Sequence, residues 1–153
     1  MLCAELKKEQ RMHVDVLLVE DSPGDVRLTR EAFREANKSV RLHVAPDGAE
    51  AMAFLRREGA HGDAPRPKLI LLDLNLPKMN GREFLARVKA DNGLKSIPVV
   101  IMTTSDREMD IAKCHQLQAN CYVQKPTQFD AFQSLMHSIN TFWLSQLAKS
   151  QSA

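Results

Sequence analysis

No stretch of this 153-residue chain is apolar for long enough to cross a membrane. Residues 1–13 carry Glu5, Lys7, Lys8, Glu9 and Arg11 where a signal peptide would need an apolar core, so the expected location is the cytoplasm. An excess of one charge is also missing. Lys and Arg number 21 against 19 Asp and Glu, and no basic cluster stands out, so nothing favours nucleic acid. Cysteine is scarce and odd in number: Cys3, Cys114 and Cys121 form no CxxC pair and read as reduced thiols. Cys114 and His115 are neighbours, and neighbouring helical side chains diverge by about 100° instead of chelating. The five His residues are scattered and include no HExxH. Internal repeats and a second domain are lacking, and the length suits one core but not two ordinary ones.

What is present is the balance of a folded globular protein, 44% hydrophobic and 26% charged, rather than that of a disordered chain. Strand and helix patterns alternate five times. Nearly continuous apolar runs predict buried strands over 13–19, 69–72, 99–102 and 121–124, while Val40, Leu42 and Val44 alternate with polar residues as an edge strand does. Ser22-Pro23-Gly24-Asp25 opens a helix running to about Asn37. Asp47 caps a second helix through Arg57, stopped by Gly59. A loop with two prolines and two glycines fills 59–68 and excludes regular structure there. A third helix lies between about Gly81 and Asp91. Ser105 and Glu108 form a capping box for a fourth that ends near Gln116. Thr127 and Asp130 repeat that pattern, and Phe129, Phe132, Leu135, Met136, Ile139, Phe142 and Trp143 keep helical spacing to about Lys149. The expected organisation is an extension over 1–12, one domain over 13–149 and a frayed tail over 150–153. Crossover helices between strands imply a doubly wound, five-stranded parallel α/β sheet in flavodoxin-like order 2-1-3-4-5, with helices on both faces.

Three short fragments carry the chemistry. Glu20-Asp21 closes the first strand, Asp73 closes the third, and Lys125-Pro126 follows the fifth. In such a sheet the carboxyl ends of the strands border the ligand crevice, so three carboxylates and an ammonium converge at the switch point. That set can hold a divalent cation and a phosphoryl group. An Asp carboxylate can act as nucleophile and form an acyl phosphate, a transfer that depends on positioning and charge neutralisation. Asp21 and Asp73 would be direct ligands of Mg2+, with Glu20 acting through water and Asn75 offering its backbone carbonyl. Lys125 would pair with one phosphate oxygen and the Thr103 hydroxyl with another. Each residue alone has an ordinary explanation, such as a helix cap or a turn. Their coincidence at three strand ends does not.

The set Glu20-Asp21, Asp73 followed by Leu74-Asn75-Leu76-Pro77-Lys78-Met79-Asn80-Gly81, Thr103-Thr104 and Lys125-Pro126 resembles the receiver domain of two-component response regulators, over about 13–143. The resemblance implies that Asp73 is the phosphoacceptor, Glu20 and Asp21 the metal-binding pair, Lys125 the invariant lysine of the family, and Thr103 and Tyr122 the switch residues. It further implies a phosphohistidine donor on a histidine kinase, output through the face of the fourth helix, fifth strand and fifth helix, and a cis Lys125–Pro126 peptide. Two positions depart from the usual pattern. Glu20 stands where many receivers have Asp, and Thr104 is larger than the usual Ala or Gly, which makes it a competitor of Thr103.

The sequence given continues into no DNA-binding or catalytic output domain, so the expected output is a protein contact. The Pro-rich loop before the third strand and the aromatic last helix resemble phytochrome-associated response regulators, whose partner is a photoreceptor histidine kinase. Chemotaxis-type receivers share the same catalytic set. Phe142, Trp143 and Leu147 either extend an apolar stripe into a two-fold homodimer or fold back on their own core. Arg27, Arg30 and Arg34 form a basic stripe on the first helix, either solvated surface or a kinase-docking element.

Competing functions meet specific obstacles. A haloacid-dehalogenase-type phosphatase needs a second Asp two residues after the first, and here that position is Asn75. A flavin protein of this topology needs a Gly/Ser/Thr-rich phosphate loop after the first strand. A pseudo-receiver would be expected to lack Asp73 or Lys125. The expected protein is therefore a signalling phosphoacceptor, not an enzyme acting on other substrates. Asn75 and Ser105 flank the path of an attacking water and bear on phosphoryl lifetime, in a direction the sequence leaves open.

Overall fold

Apolar runs that lack polar alternation must be buried on both faces, and the chain satisfies them with a single parallel sheet. A computed structural model describes residues 13–36, 39–74, 76, 79–103, 121–126 and 128–141. The strands are β1 (Val14–Val19), β2 (Val40–Ala45), β3 (Leu69–Asp73), β4 (Val99–Thr103) and β5 (Cys121–Gln124). All neighbours are parallel and the order is β2-β1-β3-β4-β5, as the alternation predicts. β3 and β4 are buried at every position, while edge strand β2 is buried only at Ala45.

Register places the strand ends. Val19 pairs with Ala45 on one side and Leu72 on the other, so the next residues on β1 and β3, Glu20 and Asp73, emerge side by side. Asp73 in turn pairs with Met102, and Thr103 with Gln124. Both β3 and β4 run one residue further than their apolar runs, so Asp73 and Thr103 are the last strand residues and not the first loop residues.

Four described helices cover the two faces: α1 (Pro23–Ala36), α2 (Gly48–Arg56), α3 (Gly81–Ala90) and α4 (Phe129–Ile139). On one face Leu17, Val19, Ile70, Leu72, Val99 and Ile101 pack with Phe54, Phe84, Leu85 and Val88 of α2 and α3. On the other, Val16, Leu18, Leu71, Val100 and Met102 pack with Ala32 and Phe33 of α1 and with Phe132, Met136 and Ile139 of α4. The period of two along each strand thus feeds two separate cores.

The predicted caps are partly observed. The Asp47 carboxylate accepts the Glu50 N–H at 2.8 Å, and the Asp25 N–H points to the Ser22 hydroxyl at 3.4 Å. α2 ends differently from the expectation. Arg57 itself takes the left-handed conformation (φ 56°) and donates its N–H to the Phe54 carbonyl, two residues before Gly59. The loop over 59–68 is not wholly irregular either, since Gly59–His61 forms one 3-10 turn. α4 starts behind Gln128, whose side chain makes no cap, instead of the expected Thr127. Thr127, the predicted helix over 105–116 and the aromatic residues Phe142 and Trp143 lie outside the described residues. Among the described residues no helix is long and apolar enough to cross a membrane.

Candidate functional site

Strand ends β1, β3 and β5 bring Glu20, Asp73 and Lys125 into one buried cluster, and the loop after β1 adds Asp21. Glu20 is 2% exposed, Asp73 and Lys125 7% each, and Asp21 is exposed at the rim. One carboxylate oxygen from each of Glu20, Asp21 and Asp73 lies within 4.8 Å of the others. Three hard anionic oxygens at that spacing, one of them open to solvent, fit Mg2+ or Mn2+ and not a soft metal. Such an ion would supply charge neutralisation for a phosphoryl group held beside Asp73.

Lys125 is the counter-charge. Its Nζ donates to Glu20 Oε2 at 2.5 Å, to Asp25 Oδ2 at 2.7 Å and to Asp73 Oδ2 at 3.3 Å. The ammonium has three N–H donors and each meets a carboxylate. Burial alone would lower the pKa of Lys125, but the hydrogen bonds it donates to Asp25 and Glu20, with the charges of Glu20 and Asp73, outweigh it and push the group up, so the ammonium stays charged. Burial drives Glu20 the other way, up to about 7, with the nearby Asp73 charge adding to the rise and the Lys125 hydrogen bond opposing it. The Ser22 N–H also donates to Glu20, at 3.2 Å.

The backbone around the cluster is tightly fitted. Lys125 N–H donates to the Thr103 carbonyl at 2.6 Å, which fixes the chain leaving β5 against the end of β4. Gly81, at the first position of α3, lies so close to β3 that a Cβ there would stand 2.6 Å from both the Asp73 carbonyl oxygen and Leu74 Cα. Its N–H donates to Leu74 at 3.1 Å, and Asn80 caps the helix by accepting the Glu83 N–H at 2.8 Å. The Asn80-Gly81 pair therefore presses α3 onto the end of the strand that carries Asp73. No larger residue could do this without moving backbone.

The predicted residues fall as follows. Glu20, Asp21, Asp73 and Lys125 converge. Thr103 is fully buried at the end of β4, next to the Lys125 backbone. Tyr122 is half-buried on β5 and packs on the core shared with α2 and α3. Asn75 and Thr104 lie outside the described residues. The Lys125–Pro126 peptide is trans, contrary to the expected cis bond. Trans is the isomer an Xaa–Pro bond favours by ~0.5–1 kcal/mol, and the Lys125 N–H bond to Thr103 holds the chain before the peptide without dictating cis. Arg27, Arg30 and Arg34 are exposed on α1, where Arg27 pairs with Glu31 at 3.3 Å. Sequence reasoning missed one residue. Asp25 reads there only as part of a helix cap, yet its carboxylate is an ion-pair partner of Lys125.

The chain matches the family described as Response regulator receiver domain over residues 16–137. The response regulator Rcp1 of Synechocystis is 45% identical over 129 residues, covering 84% of this chain and 88% of that protein. Among solved structures, the phosphorylated cyanobacterial phytochrome response regulator RcpA superposes with a TM-score of 0.85 at 46% identity, covering 88% and 96% of the two chains. The Mn2+-bound form of Rcp1 superposes with a TM-score of 0.81 at 44% identity, covering 86% and 94%.

Proposed function

This chain belongs to the response regulator receiver domain family, and from that premise we propose that it takes a phosphoryl group from a histidine kinase onto Asp73. The observation that carries the reading is the cluster itself: a buried Asp73 carboxylate 3.3 Å from the Lys125 ammonium, with Glu20 and Asp21 oxygens within 4.8 Å. Asp73 is the nucleophile. Its carboxylate oxygen forms a bond to phosphorus as the phosphorus–nitrogen bond of a phosphohistidine breaks, and the imidazole leaves with the electron pair. Lys125 stays charged and stands ready to neutralise a phosphoryl oxygen, while burial keeps competing water low.

A divalent ion, Mg2+ in this reading, would be held directly by Asp21 and Asp73, through water by Glu20, and by the backbone carbonyl of Asn75. Support comes from the oxygen-only donor set and from the Mn2+-bound form of a 44% identical relative. The Thr103 hydroxyl and Tyr122 are the switch pair in this reading. Thr103, buried at the end of β4, and Tyr122, half-buried on β5, support coupling of the crevice to the face of β5 and α4. The kinase is a phytochrome-type photoreceptor, a partner supported by the likeness to RcpA, itself a phytochrome response regulator. The domain runs over 13–149, lies in the cytoplasm and acts without nucleic acid or membrane. A two-fold homodimer through the β5–α4 face completes the reading, supported by the apolar Phe142, Trp143 and Leu147 in the sequence. Sedimentation at micromolar concentration, with and without an acyl-phosphate analogue, tests that last element.

Incubation with acetyl phosphate and Mg2+ tests the central claim. A stoichiometric, acid-stable and base-labile phosphate that disappears in Asp73→Asn is the expected result. Repeated turnover of small phosphate esters would replace the receiver reading with a phosphatase.

A further inference from the structure

Lys125 has one partner that neither the sheet ends nor the metal chemistry requires. Asp25 comes from the first turn of α1, off the sheet, yet its carboxylate sits 2.7 Å from the ammonium, closer than Asp73 at 3.3 Å. The helix turn holds it in place: the Thr29 hydroxyl donates to the Asp25 carbonyl at 2.8 Å and the Ser22 hydroxyl faces its N–H. An acidic residue in a first turn is also favourable to the helix by itself, which is the plain reading of the position. That reading does not explain why the side chain turns toward Lys125.

The three carboxylates around the ammonium differ in exposure. Taken by side chain alone, Glu20 is 2% exposed, Asp73 10% and Asp25 32%. Asp73 would also hold a divalent cation directly, with Asp21, and Glu20 would hold it through water. An ammonium drawn fully onto Asp73 would crowd the metal and neutralise the nucleophile. Asp25 pulls it toward the rim. When phosphoryl oxygens arrive on Asp73, Asp25 is the partner that water can most easily replace, because it is already partly solvated, and a buried carboxylate cannot be abandoned so cheaply.

We propose that Asp25 is a positioning residue for Lys125, a releasable anchor that, together with Glu20, keeps the ammonium at the long end of its reach to Asp73, 3.3 Å, and so leaves that carboxylate open to a divalent ion and a phosphoryl group. The inference rests on the function proposed above. In its absence the ammonium settles on the two remaining carboxylates and competes with the metal.

Calorimetric titration of the full chain with Mg2+ alone tests this as a double-mutant cycle. Asp25→Asn, isosteric and with the same backbone contacts, is expected to weaken Mg2+ binding on the order of three-fold. Asp25→Glu, which keeps the charge, is expected to restore most of it. Lys125→Met removes the competitor and is expected to tighten binding, and in that background Asp25→Asn has little further effect. The same loss in both backgrounds would make Asp25 a distant charge or a helix residue only, and no loss in either would remove it from the site; each overturns the proposal. Wild-type protein that binds no Mg2+ would overturn the proposed function itself, and so separates the two claims.

Discussion

Replacing Lys125 by Met leaves a hole in a charge cluster, and the size of the effect follows from the exposure of each partner. Removing one member of a buried ion pair costs ~3–5 kcal/mol, because the other charge remains buried and unpaired. The contact with Asp25 adds little, since that side chain is about one-third exposed and the solvent screens it. The contact with Glu20 at 2.5 Å matters most above neutrality. Below its pKa of about 7 Glu20 is already protonated and asks little of the ammonium. The expected loss without metal is thus about 3 kcal/mol at pH 8.5, shrinking toward 1–2 kcal/mol at pH 6. For a domain of this size the larger figure lowers Tm by roughly 6–12 °C. Melting by circular dichroism in EDTA at both pH values measures it. Mg2+ should then raise Tm more in the variant than in the wild type, because a cation replaces the missing counter-charge. A variant as stable as wild type at pH 8.5, or an equal Mg2+ shift in both proteins, would refute this account of the cluster.

Glu20→Gln should flatten the pH dependence of metal-free stability. The raised pKa means that the folded chain holds the proton more tightly than the unfolded one between about pH 4.5 and 7, so stability falls as pH rises through that window, by an amount on the order of 2 kcal/mol, and Gln removes the slope. Denaturant titrations at pH 5 and 7.5 check the sign. Gly81→Ala should cost about 1–3 kcal/mol and slow phosphorylation by acetyl phosphate, because its Cβ would collide with the Asp73 carbonyl. Gly24→Ala is the control: the nearest atom there is 4.0 Å away, and the change should be neutral or stabilising by up to ~1 kcal/mol. Phe84→Ala, on a fully buried side chain between α3 and the sheet, should cost ~3–5 kcal/mol in urea unfolding without changing which residue is phosphorylated.

The sheet was legible from the chain because its signals are local. Runs such as Leu69-Ile70-Leu71-Leu72 suit strands buried on both faces, and the helical spacing between runs calls for crossovers, so a doubly wound parallel sheet follows with few alternatives for its order. Glu20, Asp21, Asp73 and Lys125 were legible for the same reason. Each terminates a strand, and all strand ends of such a sheet open on one side. Gly81 was visible only as part of a motif. Its necessity lies in the close approach of α3 to the end of β3, where a Cβ would stand 2.6 Å from the Asp73 carbonyl oxygen, and no pattern in the sequence states this.

Asp25, Arg57 and the Lys125–Pro126 bond belong to the tertiary structure. Nothing local distinguishes Arg57, which ends α2 in the left-handed conformation although Gly59 stands two residues on. The trans peptide is a small energy difference that the surroundings decide. The ion pair between Asp25 and Lys125 joins residues 100 positions apart, one on a helix and one beyond a strand, and it exists only where the packed chain brings the first turn of α1 to the end of β5. The sequence by itself determined which groups end each strand and hence what chemistry gathers in the crevice. How deep the ammonium sits, and which carboxylate can let it go, depends on burial, and burial is a property of the packed chain.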